Sequence, residues 1–271
     1  MKPLLLLAAF IGTLAAQPNY EIYGIRYATI KDFSVAGLVA GADKDRKMDI
    51  AMYVWLIKGG GKNILFDCGF YRDKFIQRWH PSEFSKPSDA LANAGLKPED
   101  ITDVIISHVH WDHADGFDLF PKAKVWIQKD ELEYYAGEAW QSRRTAQGDA
   151  EDVLGLVKLN TEGHVGLVKG DAQEILPGII CYTGGKHTWQ SQFIGVKTAA
   201  GVVVLASDNV YLYENLEKHV PIAATLDADS NLKAQDRMKR IAASERLIIP
   251  GHDPAVMKNF TVIAPGVVRI Q

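Results

Sequence analysis

Short runs of apolar and β-branched residues recur along the chain from about residue 20, and their length predicts β-strands. The runs 50–57 (IAMYVWLI) and 63–67 (NILFD) flank three consecutive glycines at 59–61, which predicts a β-hairpin. The same argument predicts further strands at 101–107, 124–128, 179–183, 192–197, 202–206 and 247–250. The chain is therefore rich in short strands in both halves.

Helical signals lie between these strands. The segment 88–95 (SDALANAG) predicts a short helix capped by Ser88 and ended by Gly95. Residues 129–137 and 231–243 predict two more helices. Strands come first in hairpins, then alternate with helices, and the cycle repeats. This order predicts an α/β fold, a four-layer αββα sandwich of two sheets face to face with helices outside.

Composition favours one globular domain over residues 17–271. The chain has 271 residues, 47% of them hydrophobic and 23% charged, enough to bury a substantial core. Its 23 glycines and 11 prolines are scattered, so no linker marks a second domain. The net charge of −3 gives no electrostatic reason to expect nucleic acid as a partner.

The first 16 residues have the pattern of a secretory signal peptide. Lys2 precedes an apolar run at 4–14, and Ala15 and Ala16 are the small residues that a signal peptidase requires. We therefore expect export to the periplasm or the medium, with no stable membrane span after processing. An uncleaved anchor or a buried first helix is the alternative.

Cys68 and Cys181 lie in apolar runs, and we expect separate buried thiols rather than a disulfide.

Candidate chemistry is concentrated in the segment 107–116 (SHVHWDHADG). Residues two apart in an extended chain face the same way, so His108 and His110 can converge on one ion. If a helix starts next, Asp112 and His113 lie in its first turn and can reach a second ion. Three of the chain's eight histidines fall within six positions here, beside an aspartate. Imidazole and carboxylate suit Zn²⁺ and other first-row divalent ions.

Further candidate ligands follow strands elsewhere. His187 comes after a Gly-Gly turn, Asp208 ends an apolar run, and His252 lies in the turn PGHDP. Each residue taken alone is more often a cap or a surface residue. Taken together with the first segment, they complete two three-ligand sites and a bridging carboxylate.

This pattern resembles the metallo-β-lactamase superfamily in its dinuclear form, over nearly all of residues 20–265. The resemblance implies two divalent ions, with Zn²⁺ expected. It assigns one ion to His108, His110 and His187, the other to Asp112, His113 and His252, and makes Asp208 the bridge. It also implies that Asp67 supports the ligand loop without binding metal. Cys68 stands where Thr or Ser is common.

Within the superfamily the chain is most similar to N-acyl-homoserine lactonases, which degrade quorum-sensing signals. Tyr211 follows Asp208 by three residues, where those lactonases place a Tyr that points at the substrate carbonyl. Lys186 stands where that family often has Gly. The resemblance implies that a metal-bridging hydroxide attacks the lactone carbonyl, that Tyr211 steadies the oxyanion and that Asp112 carries a proton. The alternative for Tyr211 is a core aromatic.

Other functions stay open. A β-lactamase, a thioesterase or a phosphotriesterase could use the same scaffold, although the best-known lactamase class has Cys at the position of Asp208. A non-catalytic binding protein is the alternative from another class.

The aromatic-rich segment 70–87 either lines a groove for an acyl chain or packs onto the protein body or a second subunit. A homodimer is thus left open.

Overall fold

The computed structural model describes residues 18–141 and 148–271. The expected signal peptide, residues 1–16, lies outside the described residues. In the described ranges, eight strands form the first sheet: β1 (Glu21–Ser34), β2 (Lys47–Gly59), β3 (Lys62–Phe66), β4 (Asp103–Ile105), β5 (Lys124–Gln128), β6 (Val165–Val168), β12 (Thr261–Ala264) and β13 (Val267–Arg269). Their order across the sheet is β12-β13-β1-β2-β3-β4-β5-β6.

The second sheet has five strands within the same ranges: β7 (Gln173–Leu176), β8 (Ile179–Thr183), β9 (Gln192–Thr198), β10 (Gly201–Ser207) and β11 (Ile248–Pro250). Their order is β11-β10-β9-β8-β7. Both sheets are mixed. In the first, β3 to β6 run parallel, and in the second only β10 and β11 do so among the described pairs.

Helices connect and cover the strands. The α-helices of the described residues are α1 (Asp73–Trp79), α2 (Pro87–Ala90), α3 (Trp111–Ala114), α4 (Lys129–Ala136), α5 (Ala150–Thr161), α6 (Tyr213–Glu217), α7 (Ala228–Ile241) and α8 (Val256–Asn259). No helix among them is both long and apolar enough to cross a membrane.

Three layers of apolar contact hold the sandwich together. Ile57 and Phe66 of the first sheet pack against Val203 of the second, so one core lies between the sheets. Leu132 of α4 and Leu156 of α5 pack on the outer face of the first sheet. Ala234 and Met238 of α7 pack on the outer face of the second sheet. The predicted four-layer αββα sandwich is confirmed.

Parallel pairing brings several strand ends to one edge of the molecule. Strand β3 pairs with β4 at Phe66 and Ile105, and β10 pairs with β11 at Leu205 and Ile249. Since the carboxyl ends of parallel strands meet at the same edge, the residues that follow them lie close together. The segments at this edge are those that carry the candidate ligands.

Local predictions are confirmed in part. The hairpin of β2 and β3 forms around the predicted glycines. The Ser88 cap is wrong: Lys86 is the N-cap of α2, and Pro87 is its first residue, where a missing N–H has no effect. The helical segment does end at Gly95, whose φ of 73° is the left-handed conformation that glycine favours. Cys68 and Cys181 are free and buried, as expected.

Candidate metal centre

The seven predicted ligands lie together at the edge where the strands end. They form two groups, and within each group the ligand atoms lie within 4.8 Å of one another. The first group is His108, His110, His187 and Asp208; the second is Asp112, His113 and His252. The grouping is the one that the resemblance implied. Asp112 and His113 lie in the first turn of α3, as predicted for a chain that turns into a helix after His110.

Three ring nitrogens converge in the first group. His110 Nδ1 lies 3.0 Å from His108 Nε2 and 2.9 Å from His187 Nε2. The Oδ2 atom of Asp208 completes this group, 3.2 Å from His187 Nε2. These donors come from both sheets, because His108 follows β4 and His187 follows β8.

The other oxygen of Asp208 faces the second group. Its Oδ1 atom lies 3.1 Å from His113 Nε2 and 2.9 Å from His252 Nε2. Asp112 Oδ2 lies 3.5 Å and 3.6 Å from the same two nitrogens. Asp208 thus presents one oxygen to each group, which is the arrangement that a bridging carboxylate requires.

Hydrogen bonds on the outer side of the rings set their tautomers. His187 Nδ1 donates to Ala224 O at 2.7 Å, and His252 Nδ1 donates to Ala51 O at 3.0 Å. A carbonyl oxygen can only accept, so the proton is on Nδ1, and the Nε2 lone pair of a neutral ring faces the centre. In the described structure, buried His113 Nε2 and Asp208 Oδ1 make no hydrogen bond of acceptable geometry. A divalent cation satisfies such converging donors, so the residues fit a metal.

Asp67 supports this centre from behind. Its Oδ1 accepts from the backbone N–H of Ser107 at 2.8 Å, and its Oδ2 accepts from His113 Nδ1 at 2.8 Å and from Ser207 Oγ at 2.9 Å. Asp67 has a left-handed backbone with φ of 61°, an uncommon conformation for a residue other than glycine. The predicted supporting position is the one found.

Burial and neighbouring charges lower the pKa values of candidate ligands for different reasons. Burial, with the neighbouring histidines, lowers the pKa of His108 well below 6.5 and that of His110 to about 3. Burial alone would raise the pKa of Asp208, but His113 and His252 outweigh it and lower that pKa well below 3.8. His113 and His252 likewise lower the pKa of Asp112 against the effect of burial, so both carboxylates are anions at neutral pH, and an anionic pair in a buried site favours a cation.

An apolar cavity of about 190 Å³ opens over the centre. It is lined by Ile30, Phe33, Gly37, Leu38, Ile50, Met52, Trp79, His110, Trp111, Asp112, Asp208, Tyr211, Ala224 and His252. A larger cavity of about 540 Å³, lined in part by Tyr213, Glu214 and Arg246, contains none of the seven ligands. The chemistry therefore belongs with the smaller cavity.

Tyr211 joins the core and the site. The residue is 7% exposed, its ring packs in the core, and its hydroxyl lies 3.4 Å from His187 Nδ1. Burial, with the anionic Asp208 and Asp112, raises the pKa of Tyr211 well above 10, so the phenol keeps its proton at neutral pH. The hydroxyl is therefore a hydrogen-bond donor beside the centre.

The aromatic segment 70–87 divides between the two predicted roles. Phe70 is fully buried and packs edge-on against Tyr27 and Trp111. Trp79 stacks on Trp111 with ring centroids 5.2 Å apart and lines the cavity. The segment also contains helix α1, which the sequence analysis did not predict because the segment is rich in polar residues and interrupted by Pro81.

Sequence reasoning missed half of the cavity wall. Ile30 and Phe33 of β1 and Met52 of β2 line it, but in the sequence they look like ordinary apolar strand residues. It also missed Glu131, a buried carboxylate on α4. A glutamate in a helix has no sequence signal that separates it from a surface residue.

Comparisons with known proteins agree with the geometry. The family model described as the metallo-beta-lactamase superfamily matches residues 51–252. An N-acyl homoserine lactonase of Bacillus cereus is 32% identical over 165 residues, and the match spans 60% of each chain. The lactonase of Bacillus thuringiensis is 30% identical over 201 residues, which is 73% of each chain.

Solved structures share the fold. The crystal structure of a quorum-quenching N-acyl homoserine lactone lactonase has a TM-score of 0.72 and 24% identity, covering 90% of this chain and 96% of that chain. An N-acyl homoserine lactone hydrolase with N-hexanoyl-L-homoserine at its catalytic metal centre has a TM-score of 0.71 and 23% identity, covering 90% and 97%. At these identities the likeness concerns the fold alone.

Proposed function

The chain belongs to the metallo-beta-lactamase superfamily, and on that premise we propose that it is a metal-dependent hydrolase that opens the ring of an N-acyl-homoserine lactone. The observation that carries the proposal is the placement of Asp208. One of its oxygens faces each ligand group, beside the Tyr211 hydroxyl and below an apolar cavity. Ring opening of such a lactone would remove a quorum-sensing signal.

Two divalent ions fit the two groups, and we propose Zn²⁺ in both. His108, His110 and His187 would hold one ion, Asp112, His113 and His252 the other, with Asp208 shared between them. Imidazole nitrogen and carboxylate oxygen are donors that Zn²⁺ prefers. When bound, such ions supply a hydroxide nucleophile at neutral pH and polarise a carbonyl group.

The protein's own groups would place the ester. Tyr211 donates a hydrogen bond to the lactone carbonyl oxygen, where negative charge develops as the ring opens. Asp112 lies at the cavity wall and would carry a proton to the alcohol oxygen that leaves the carbonyl carbon. Because Tyr211 is held by core packing, its hydroxyl needs little reorganisation during the reaction.

The cavity suits an acyl chain. Apart from the candidate ligands and Tyr211, its wall is made mainly of apolar side chains: Ile30, Phe33, Leu38, Ile50, Met52, Trp79 and Trp111. Burial of one CH₂ group in such a wall contributes about 0.8 kcal/mol. We therefore expect kcat/KM to rise with acyl length until the cavity is filled.

Curated relatives support a lactone substrate. The Bacillus cereus and Bacillus thuringiensis proteins are both named N-acyl homoserine lactonases. The chain spans about 60% of the length of the first of these relatives, so the shared activity is part of the proposal.

A panel of substrates tests the proposed function. Purified protein is assayed with acyl-homoserine lactones of different length, a simple lactone, nitrocefin, a thioester and paraoxon, and its metal content is measured. We expect two ions per chain and highest kcat/KM on acyl-homoserine lactones. Asp208→Asn is the negative control, and its kcat/KM should fall by more than about 100-fold, the upper end for loss of a supporting residue. Preferred turnover of nitrocefin, thioester or paraoxon would contradict the lactonase assignment.

A further inference from the structure

Glu131 is a fully buried carboxylate on α4, outside the ligand set. Both of its oxygens accept hydrogen bonds. Oε1 accepts from the Val109 N–H at 3.2 Å and from Thr188 Oγ1 at 2.7 Å, and Oε2 accepts from the Gln190 N–H at 2.6 Å. All three donors are neutral groups, so Glu131 is buried without an ion pair to any of them.

The donors identify what Glu131 joins. Val109 lies between His108 and His110 in the segment that follows β4 of the first sheet. Thr188 directly follows His187, in the connection that leads from β8 to β9 of the second sheet. One side chain therefore holds together the two segments that supply the three histidines of the first ligand group. The inner nitrogens of those rings lie within hydrogen-bond distance of one another.

Burial of this carboxylate requires a compensating role. A buried charged group loses its hydration, and the three hydrogen bonds to Glu131 offset part of that loss. Its neighbours on α4, Leu132 and Tyr135, are core side chains, so an apolar residue at 131 would fit the helix pattern. An apolar residue would leave the donors on both ligand segments without an acceptor.

The second ligand group has separate supports. His113 donates to Asp67 Oδ2, and His252 donates to the carbonyl oxygen of Ala51. The three hydrogen bonds of Glu131 described above reach neither of these rings. The two groups are thus fixed by different parts of the fold.

We infer that Glu131 is a positioning residue for the first metal group: it sets the separation between the His108–His110 segment and the His187 segment. This inference rests on the metal binding in the proposed function. Loss of the carboxylate lets the two segments move apart and weakens the first group, while the second group keeps its geometry. Supporting residues of this kind change metal affinity by about 10–100-fold.

Glu131→Gln tests the inference without changing the size of the side chain. Its amide NH₂ must face at least one N–H or O–H donor, so one hydrogen bond is lost. Wild type and variant are loaded with Zn²⁺ and dialysed against a graded chelator series, and bound zinc is measured by elemental analysis. We expect both ions of the wild type to be bound tightly. In the variant, one ion should keep this affinity and the other should bind about 10–100-fold more weakly, so that it is lost at a lower chelator concentration. The absorption spectrum of Co²⁺-loaded protein should show which ligand set has changed.

Asp103→Asn is the matched control. Asp103 is also a buried carboxylate with three donors, Lys62 Nζ, Thr102 Oγ1 and Trp126 Nε1, but it starts β4 at the end away from the ligands. This variant should lower the Tm and keep both ions at wild-type affinity. Thr188→Val is the second variant, in case Glu131→Gln does not fold. It removes one of the Glu131 hydrogen bonds and keeps the other two, so it should lower the affinity for one ion by a smaller factor.

The outcomes separate this inference from the proposed function. Two ions of wild-type affinity in both Glu131→Gln and Thr188→Val would overturn the role of Glu131 and leave the hydrolase proposal standing. Equal weakening in Asp103→Asn would also overturn it, because the effect would then follow from general loss of stability. Wild-type protein that binds no metal would overturn the proposed function and the inference together.

Discussion

At the scale of single residues, the centre depends on partners that hold protons away from it. The outer nitrogens of His187 and His252 donate to backbone carbonyls, and that of His113 to the Asp67 carboxylate. Each bond fixes the ring plane, and in the neutral ring it leaves the inner nitrogen with a lone pair that faces the centre. The Tyr211 hydroxyl is different, since it keeps a proton that it can donate.

Tyr211→Phe tests that donor. The variant removes one oxygen and keeps the ring that packs in the core, so the Tm should change little. If the hydroxyl stabilises the developing oxyanion, kcat on an acyl-homoserine lactone should fall by about 10²–10³-fold with little change in KM. Steady-state kinetics at saturating metal measures both constants. An unchanged kcat would show that Tyr211 is only a core aromatic.

Four of the seven candidate ligands could be predicted from sequence because they fall within six positions, and the other three because they follow strands and complete the set. Spacing alone predicted that His108 and His110 converge, and their ring nitrogens do lie 3.0 Å apart, although the chain bends at residues 107, 109 and 110. Glu131 could not be predicted in this way. Its role depends on burial and on donors 22 and 57 residues away, which no local pattern contains.

At the scale of elements, helix α1 contributes to the cavity wall, and contacts between Arg72 and aspartate side chains hold it in place. Arg72, the residue before α1, binds the buried carboxyl groups of Asp115 and Asp152, the latter at 2.8 Å. Burial, with the nearby Asp115, raises the pKa of Asp152 to about 8. The anchored helix carries Trp79 at its C-terminal end, where it stacks on Trp111.

Trp79→Ala should shorten the cavity wall. We expect kcat/KM to climb with acyl length in wild type and to climb less in the variant, with short lactones nearly unaffected. The gain in transition-state stabilisation per added CH₂ group, which the variant should lose in part, is at most about 0.8 kcal/mol. A series of acyl-homoserine lactones measures it. Trp140→Ala, which removes a 41% exposed tryptophan away from the cavity, is the matched control. Equal losses for short and long chains would mean that Trp79 only stabilises the fold.

Strands were easier to predict than helices in this chain. The predicted bounds of β5 and β8 agree with the structure, because each is a short apolar run between turn residues. Strand β4 is shorter than its run 101–107, since Ser107 turns away to bond Asp67. Helix α5 was not predicted, although Asp149 caps it with bonds to the N–H groups of Glu151 and Asp152.

At the scale of the whole molecule, ion pairs link segments from different sheets. Arg46, just before β2, makes a two-point contact with Glu214 of α6, at 2.6 and 2.9 Å. Lys218 adds a third bond at 2.7 Å. These hydrogen bonds lower the pKa of Glu214 to about 2. An unfolded chain has no such contacts, so its glutamate titrates near 4.3.

The depressed pKa makes this contribution pH-dependent. A carboxyl with a lowered folded-state pKa stabilises the protein above about pH 4.3 and loses that contribution as the pH falls towards 2. Glu214→Gln should therefore be less stable than wild type by about 1 kcal/mol at pH 7, a value limited by the exposure of Arg46. The difference should shrink towards zero at pH 2. Urea unfolding of both proteins with chelator present measures it; a constant difference would show that Glu214 acts through packing.

Export concerns the chain as a whole, and we propose that residues 1–16 are removed during secretion. The first contacts of the described fold come after this cut: Tyr20 is buried and its N–H donates to Lys197 O at 2.9 Å, and β1 starts at residue 21. N-terminal sequencing of protein from the native host should find Gln17 first, in the periplasm or the medium. Leu6→Arg interrupts the apolar run that the secretion machinery recognises, so that variant should stay in the cytoplasm with residues 1–16 attached. Wild-type protein that keeps Met1 in the cytoplasm would overturn the proposal, and the lactone would then have to be hydrolysed inside the cell.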